Sequence, residues 1–428
     1  MGQAAAEPPG YSAQSQPTRD LVEHEYQLED TKGRAWLRLK VKSHSTSSKQ
    51  QPLFFYKDTI SGTVELDAGK ADGAKAVLVS LVAGLTVVGQ EEIRFLEIVH
   101  ELWNAKTASS KPTAKQQFPF SITLPTETDV PEKGKGKQPT QIYPLPPSFS
   151  ERASPAYMDY RLHVTVKRGA LRVNQTLGTS FVYVPLTRAG APSPLRQLAY
   201  SEGTPVIGPE ADPEGWKVFP SVTLTGTIFD TRKVELECTF SYALGTPIPL
   251  SLTLRGTDEQ ALDLLASPAA IRVQLTRLLL VGSHATQDEV ESGRSNNSFS
   301  ERMGGAYFWP STEGAPQPGI RVLNGELEVK KSLTLGFVFP RFSIRYMLAL
   351  LPPKAPGFAP AAGQATGDEP LLVQPVAIAS ANAQGTPPPR SSCAAPPGYA
   401  HTGEGDYNTT IGFLENGNQR FLMHHGFQ

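Results

Sequence analysis

Trp36-Leu37-Arg38-Leu39-Lys40-Val41-Lys42 alternates without a break: Leu37, Leu39 and Val41 share one parity, and Arg38, Lys40 and Lys42 the other. Side chains on a β-strand point to opposite faces in turn, so this period of two describes a strand with one buried and one wet face. The same grammar recurs on both sides of it. Val64 and Leu66 follow Gly62. Phe118, Phe120, Ile122 and Leu124 share a face, with Pro119 marking an edge or a bulge. Tyr160, Leu162, Val164 and Val166 alternate with Arg161, His163, Thr165 and Lys167, and Phe181, Tyr183 and Pro185 with Val182 and Val184. Residues 77–82 and 85–88 read as strands buried on both faces.

Pro192, Pro194, Pro205, Pro209 and Pro213 crowd into residues 188–214, where a sheet cannot continue. The alternation then restarts. Leu224 and Ile228 share a parity; so do Val234, Leu236, Cys238 and Phe240; so do Ile271, Val273 and Leu275. Leu327 and Val329 alternate with charged neighbours, and residues 249–254, 333–339 and 342–351 complete the second set. One short helix is expected over 257–265, with Asp258, Glu259 and Asp263 outward and Leu262 and Leu265 inward. Residues 129–155 and 283–319 read as long polar insertions. Many short strands with almost no helix predict an all-β chain of sandwich type rather than a doubly wound α/β enzyme.

Length agrees with two units, since the chain has 428 residues and single cores stop growing near about 250–300. The expected division is a tail at 1–18, a β-sandwich at 19–190, a linker at 191–214, a second sandwich at 215–351 and a low-complexity tail at 352–428. Both tails are expected to be disordered, being poor in the aliphatic residues a core requires.

The formal net charge of -1 supplies no global field for nucleic acid. Cys238 and Cys393 are the two cysteines, too few for a disulfide framework or a structural zinc site. Three tripeptides fit the glycosylation pattern, beginning at Asn174, Asn296 and Asn408, and are read as idle because no export signal accompanies them. Ala6 stands where a myristoylation signal needs Ser or Thr. The longest apolar stretch, 76–89, falls short of the ~20 residues of a membrane span. These features predict a cytoplasmic chain.

Several segments together resemble the arrestin-like family, and in particular the alpha-arrestins, the arrestin-related trafficking adaptors of fungi and animals. Asp58-Thr59-Ile60-Ser61-Gly62-Thr63-Val64 before a buried strand resembles the opening of their N-terminal domain. So do Leu102-Trp103, the run Phe118 to Pro125, and Leu145-Pro146-Pro147-Ser148-Phe149 ahead of the tyrosine-led strand at Tyr160. Residues 233–242, the helix at 257–265, the arginine-bearing strand 271–280 and the closing run 336–350 resemble their C-terminal domain. The resemblance covers roughly residues 20–350. It implies two immunoglobulin-like sandwiches in tandem and a role in sorting membrane proteins.

The sharpest motif is Pro-Pro-x-Tyr, present as Pro8-Pro9-Gly10-Tyr11 and again as Pro396-Pro397-Gly398-Tyr399. Adjacent prolines pre-order a polyproline II segment, and the tyrosine docks in an aromatic-lined groove such as that of a WW domain. Composition gives roughly 0.1 copies by chance, so two copies flanking one core are informative. In alpha-arrestins the motif recruits HECT-type ubiquitin ligases; the family usually carries it after the second domain, so the N-terminal copy is a departure. Two weaker candidates accompany it. Arg38, Lys40 and Lys42 form a basic face that would suit phosphorylated cargo tails. Lys133, Lys135 and Lys137 form a Gly-Lys loop that would suit anionic lipid or accept ubiquitin, against the commoner reading of both as solvated surface.

No His-Glu-x-x-His, phosphate-binding Gly-Lys-Ser/Thr loop or Gly-x-Ser-x-Gly elbow occurs, and His424-His425 has no spaced partner. Tyr183, Trp216 and Trp309 read as core or rim aromatics. The chain is therefore expected to be no enzyme and to need no cofactor or metal. The expected function is an adaptor linking cytosolic tails of membrane transporters or receptors to a WW-domain ligase at the plasma membrane or endosomes. The alternative is an arrestin-fold scaffold in signalling or vesicle traffic without ligase recruitment. An extracellular carbohydrate-active sandwich would want a signal peptide and disulfides.

Overall fold

The computed structural model describes residues 21–389, apart from 68, 72, 108–114, 131–140, 153, 170–171, 244, 246, 288–296, 314–316 and 331–332. Strands dominate, and two short α-helices occur among the described residues. The all-β expectation holds.

The first half contributes β1 (Val22–Glu29), β2 (Ala35–Ser43), β3 (Leu53–Phe55), β4 (Thr59–Asp67), β5 (Ala74–Val87), β6 (Ile93–Asn104), β7 (Lys115–Thr123), β8 (Glu127–Val130), β9 (Gln141–Pro144), β10 (Ala156–Arg168) and β11 (Gln175–Val184). They form a four-stranded sheet in the order β1-β2-β4-β7 and a five-stranded sheet in the order β3-β11-β10-β5-β6. Leu37, Leu39 and Val41 of β2 are sealed against Val77, Val79 and Leu81 of β5 and Leu162 and Val164 of β10 in one apolar cluster. The alternation read from the sequence thus chooses the inner faces of two stacked sheets, a sandwich-like arrangement. Pro119 lies on the edge strand β7, where a missing N–H costs no ladder bond. On β4, Gly62 sits opposite Phe120 and leaves room for its ring, which would lie 2.7 Å from any Cβ placed there.

Residues 77–82 and 85–88 depart from expectation. Their inward members are buried, but Leu78 and Ser80 are half-exposed and Val88 is 62% exposed. The outward face of β5 is lined by neighbours on β10 and β6 instead of by a further layer.

The second half contributes α1 (Pro194–Glu202), β12 (Lys217–Val218), β13 (Val222–Ile228), β14 (Arg232–Tyr242), β15 (Ile248–Arg255), α2 (Glu259–Leu265), β16 (Arg272–Gly282), β17 (Ser298–Pro310), β18 (Ile320–Leu327), β19 (Phe337–Phe339), β20 (Arg341–Leu351), β21 (Phe358–Pro360) and β22 (Leu372–Val376). β17 makes this half a folded-over sheet. Its first part pairs with β16 up to Gly305 and its last part, from Ala306, with β18. The turn-over falls at Gly304-Gly305, beside a register shift between Leu275 and Thr276, where two residues without Cβ ease the bend. Leu236, Leu252 and Leu254 of one layer then face Leu275, Leu348 and Leu350 of the other.

α2 forms where expected because Asp258 caps it: its carboxylate accepts the Ala261 N–H at 3.0 Å, and Leu262 and Leu265 point into the core. The expected linker 191–214 contains a helix not foreseen. Ser193 caps α1, proline occupies its first turn, and Gly203 ends it at φ 72°.

Two further expectations are corrected. Residues 283–319 are not an uninterrupted loop, because β17 lies within them; Phe308 is the one member of β17 sealed in the core, so the strand carries little hydrophobic period. Residues 352–389 are likewise not a featureless tail. β21 adds to β13 and β22 to β20, and Ala381 exchanges backbone hydrogen bonds with Thr187 and Ala189. A Cβ at Gly226 would stand 2.4 Å from the Ala359 carbonyl and 2.6 Å from the Phe358 ring, so a bare glycine lets β21 seat.

Candidate functional site

The two Pro-Pro-x-Tyr copies, Pro8, Pro9, Tyr11 and Pro396, Pro397, Tyr399, lie outside the described residues, as do Lys133, Lys135, Lys137 and Cys393. Arg38, Lys40 and Lys42 do stand in a row on the outer face of β2, but acids flank them. The strand register sets Glu25 beside Lys40 and Glu23 beside Lys42 from β1, and Glu65 beside Arg38 from β4. Lys40 Nζ donates to Glu65 at 2.9 Å, and Arg38 lies 3.5 Å from Glu25. The bond to Glu65 raises the Lys40 pKa, and the same bond lowers that of Glu65. The face is a mixed-charge ladder, so an incoming phosphate competes with carboxylates already in place.

A polar construction around a buried arginine lies where the two halves meet. Glu151 follows Ser148-Phe149-Ser150 in the first half, and Arg277 projects from β16 in the second. Arg277 donates through both terminal nitrogens to the two oxygens of Glu151, each at 2.7 Å, and also to Glu301 of β17 at 2.7 Å. The Arg277 side chain is 7% exposed, Glu151 35% and Glu301 57%, so a buried cation is held by partly wetted anions. Burial acts to lower the Arg277 pKa, but the bonds and charge of Glu151, then Glu301, raise it overall. Tyr346 donates to the Thr334 carbonyl at 2.6 Å on the same flank.

Around this pair the contact is apolar. Phe339, fully buried, meets Phe95 at 5.0 Å and Tyr143 at 5.7 Å, and Phe342 meets Phe149 at 5.2 Å. Leu335 clusters with Leu53 and Val182. The β19–β20 turn runs through Pro340 and Arg341, with Arg341 at φ 69°, the place where a type II turn favours glycine. The non-glycine residue there reaches Gln90 of the first half at 3.5 Å.

A second buried ion lies at the linker. Arg196 of α1 stacks over Trp216 at 4.8 Å and stands 4.0 Å from Asp212, which also accepts from Ser193 at 2.5 Å. Trp216 Nε1 donates to the Ile207 carbonyl at 2.9 Å, Tyr183 is 1% exposed, and Trp309 is half-buried, so these three aromatics are packed side chains.

Sequence reasoning passed over Arg277, yet a signal was there: it shares the parity of Val273 and Leu275, a charge at an inward position. Glu151 carries no such mark.

Among the described residues, an apolar cavity beside Cys238 and one of mixed lining beside Ser148 each measure about 10 Å³, room for one water. Among the described residues no three of His, Cys, Asp and Glu gather as metal ligands, and no helix is long and apolar enough to cross a membrane. No family model matches the chain, and neither does any curated protein.

Proposed function

We propose that the chain is an arrestin-like adaptor of the alpha-arrestin type: two tandem sandwiches carry cargo recognition, and the Pro-Pro-x-Tyr segments recruit a WW-domain HECT-type ubiquitin ligase. The adaptor does no chemistry itself; it brings a membrane protein's cytosolic tail within reach of the ligase, for ubiquitination and endocytic sorting. The observation that carries this reading is the pair of identical Pro-Pro-Gly-Tyr motifs at 8–11 and 396–399, on either side of the folded residues 21–389. Two sandwich-like halves joined by a proline-rich linker support it. The cation row on β2 is a weaker part of the reading, because its neighbouring carboxylates are already engaged with it.

The test uses peptides 1–18 and 390–405 titrated against a panel of WW domains, with Tyr11→Ala and Tyr399→Ala as controls. Micromolar binding lost in the controls supports ligase recruitment and ranks the motifs. No binding from either peptide moves the scaffold alternative ahead.

A further inference from the structure

The charge of the first half is polarised. The described parts of four connections meet at the end of this half remote from the second: β1–β2, β4–β5, β6–β7 and β10–β11. Contacts place them together. Lys70 of the β4–β5 loop bonds Asp30 of the β1–β2 turn at 2.9 Å, and Ala105, after β6, donates to the Lys75 carbonyl at 2.8 Å. Arg168 lies over Trp36 at 5.6 Å, and the register sets Lys115 beside Asp67. The opposite end of β5 carries Gln90, which touches Arg341 of the second half, so the basic loops point away from that junction.

Segments 29–35, 67–75, 104–107, 115 and 167–174 hold nine lysines and arginines against four aspartates and glutamates, in a chain whose net charge is -1. Asp30 is occupied by Lys70 and Arg34. Lys75, Lys106, Lys115 and Lys167 are exposed and form no ion pair among the described residues. At the tip of the β10–β11 connection, Val173 is 75% exposed, the barest of the large apolar side chains described.

We infer that this end of the first half docks on an anionic membrane surface, the lysines lying in the headgroup layer with Val173 at the boundary. The chemistry fits such a surface better than a single compact phosphate. The cations are spread over four loops, they are mostly lysines, which act as point charges rather than planar forks, and an apolar side chain stands among them. Clusters of about 4–8 basic residues are what anionic leaflets attract. The residues of this surface belong neither to the Pro-Pro-x-Tyr motifs nor to the β2 ladder, and the inference does not depend on ligase recruitment.

The experiment is co-sedimentation of the full chain with vesicles of phosphatidylcholine alone or with phosphatidylserine added. The triple variant Lys75→Glu, Lys106→Glu, Lys167→Glu is compared with Lys49→Glu, Lys233→Glu, Lys354→Glu, which changes net charge equally at exposed positions elsewhere. Thermal unfolding of both variants verifies that they fold. Binding is expected only with phosphatidylserine, falling as salt rises. With each lysine worth about fivefold at such a surface, the end variant should lose at least ~100-fold and the control variant markedly less. Val173→Ser, which leaves the charge intact, should weaken binding about threefold. Failure of the wild-type chain to bind phosphatidylserine vesicles overturns the inference. So does equal loss in the two triple variants, or binding of a soluble phosphopeptide as tight as that of the vesicles.

Discussion

The junction between the halves makes an asymmetric prediction for its two partners. Removing Glu151 leaves the nearly buried Arg277 guanidinium with Glu301 alone, and Glu301 is 57% exposed. Stripping a partner from a fully buried pair costs about 3–5 kcal/mol; because Glu301 remains and Glu151 was itself 35% exposed, Glu151→Ala should cost roughly 2 kcal/mol. Arg277→Met instead removes the desolvated charge, keeps the stem's packing, and leaves two carboxylates that water can reach. It should cost about 1 kcal/mol or less. Once Arg277 is gone, Glu151→Ala should add under ~0.5 kcal/mol, a coupling of about 1.5 kcal/mol. Urea titration of the four proteins, followed by tryptophan fluorescence, reads this cycle. An Arg277→Met cost equal to or above that of Glu151→Ala, or a Glu151→Ala cost unchanged by the background, would refute the claim that a buried cation is being compensated.

Other sites make independent predictions. Gly226→Ala should dislodge β21 and raise hydrogen exchange at Phe358 and Ala359 while leaving β10 protected; unchanged exchange there would contradict the close approach of Phe358 and Ala359. In a Cys393→Ser background, Cys238 should resist thiol reagents until the second half opens, because burial pushes its pKa up to about 12; labelling as fast as that of a free thiol would contradict its burial. Burial, helped by Arg161 and Arg94, lowers the His163 pKa from 6.5 to about 4. Its contribution is therefore fully present above pH 6.5 and is lost as pH falls towards 4, by at most about 2 kcal/mol at pH 5. His163→Gln should flatten that part of the stability profile, and an unaltered profile would show that His163 is not its source.

Much of the architecture is legible along the chain because burial imposes a period of two. Leu37, Leu39 and Val41, or Tyr160, Leu162 and Val164, declare their faces without help from the rest of the molecule. α2 is legible through Asp258 and its leucines. What escapes is structure held by partners distant in sequence. β17 has one sealed apolar side chain and owes its form to β16 and β18. β21 and β22 are short additions to existing edges, seated by features such as Gly226 on another strand. The basic row on β2 is visible in the sequence, but the glutamates beside it come from β1 and β4, and that strand order is not written locally. The basic end is dispersed over four loops and emerges only when the sheets stack. The Pro-Pro-x-Tyr motifs are the reverse case, since everything known of them here is in the sequence.

The most direct measurement is calorimetric titration of the full chain against the tandem WW domains of one HECT-type ligase, beside Tyr11→Ala, Tyr399→Ala and the double variant. Ligase recruitment through both motifs predicts micromolar or tighter binding, a partial loss in each single variant, and a loss of about 100-fold or more in the double variant as avidity disappears. Binding that survives in the double variant, or no binding by the wild-type chain, would contradict the adaptor reading.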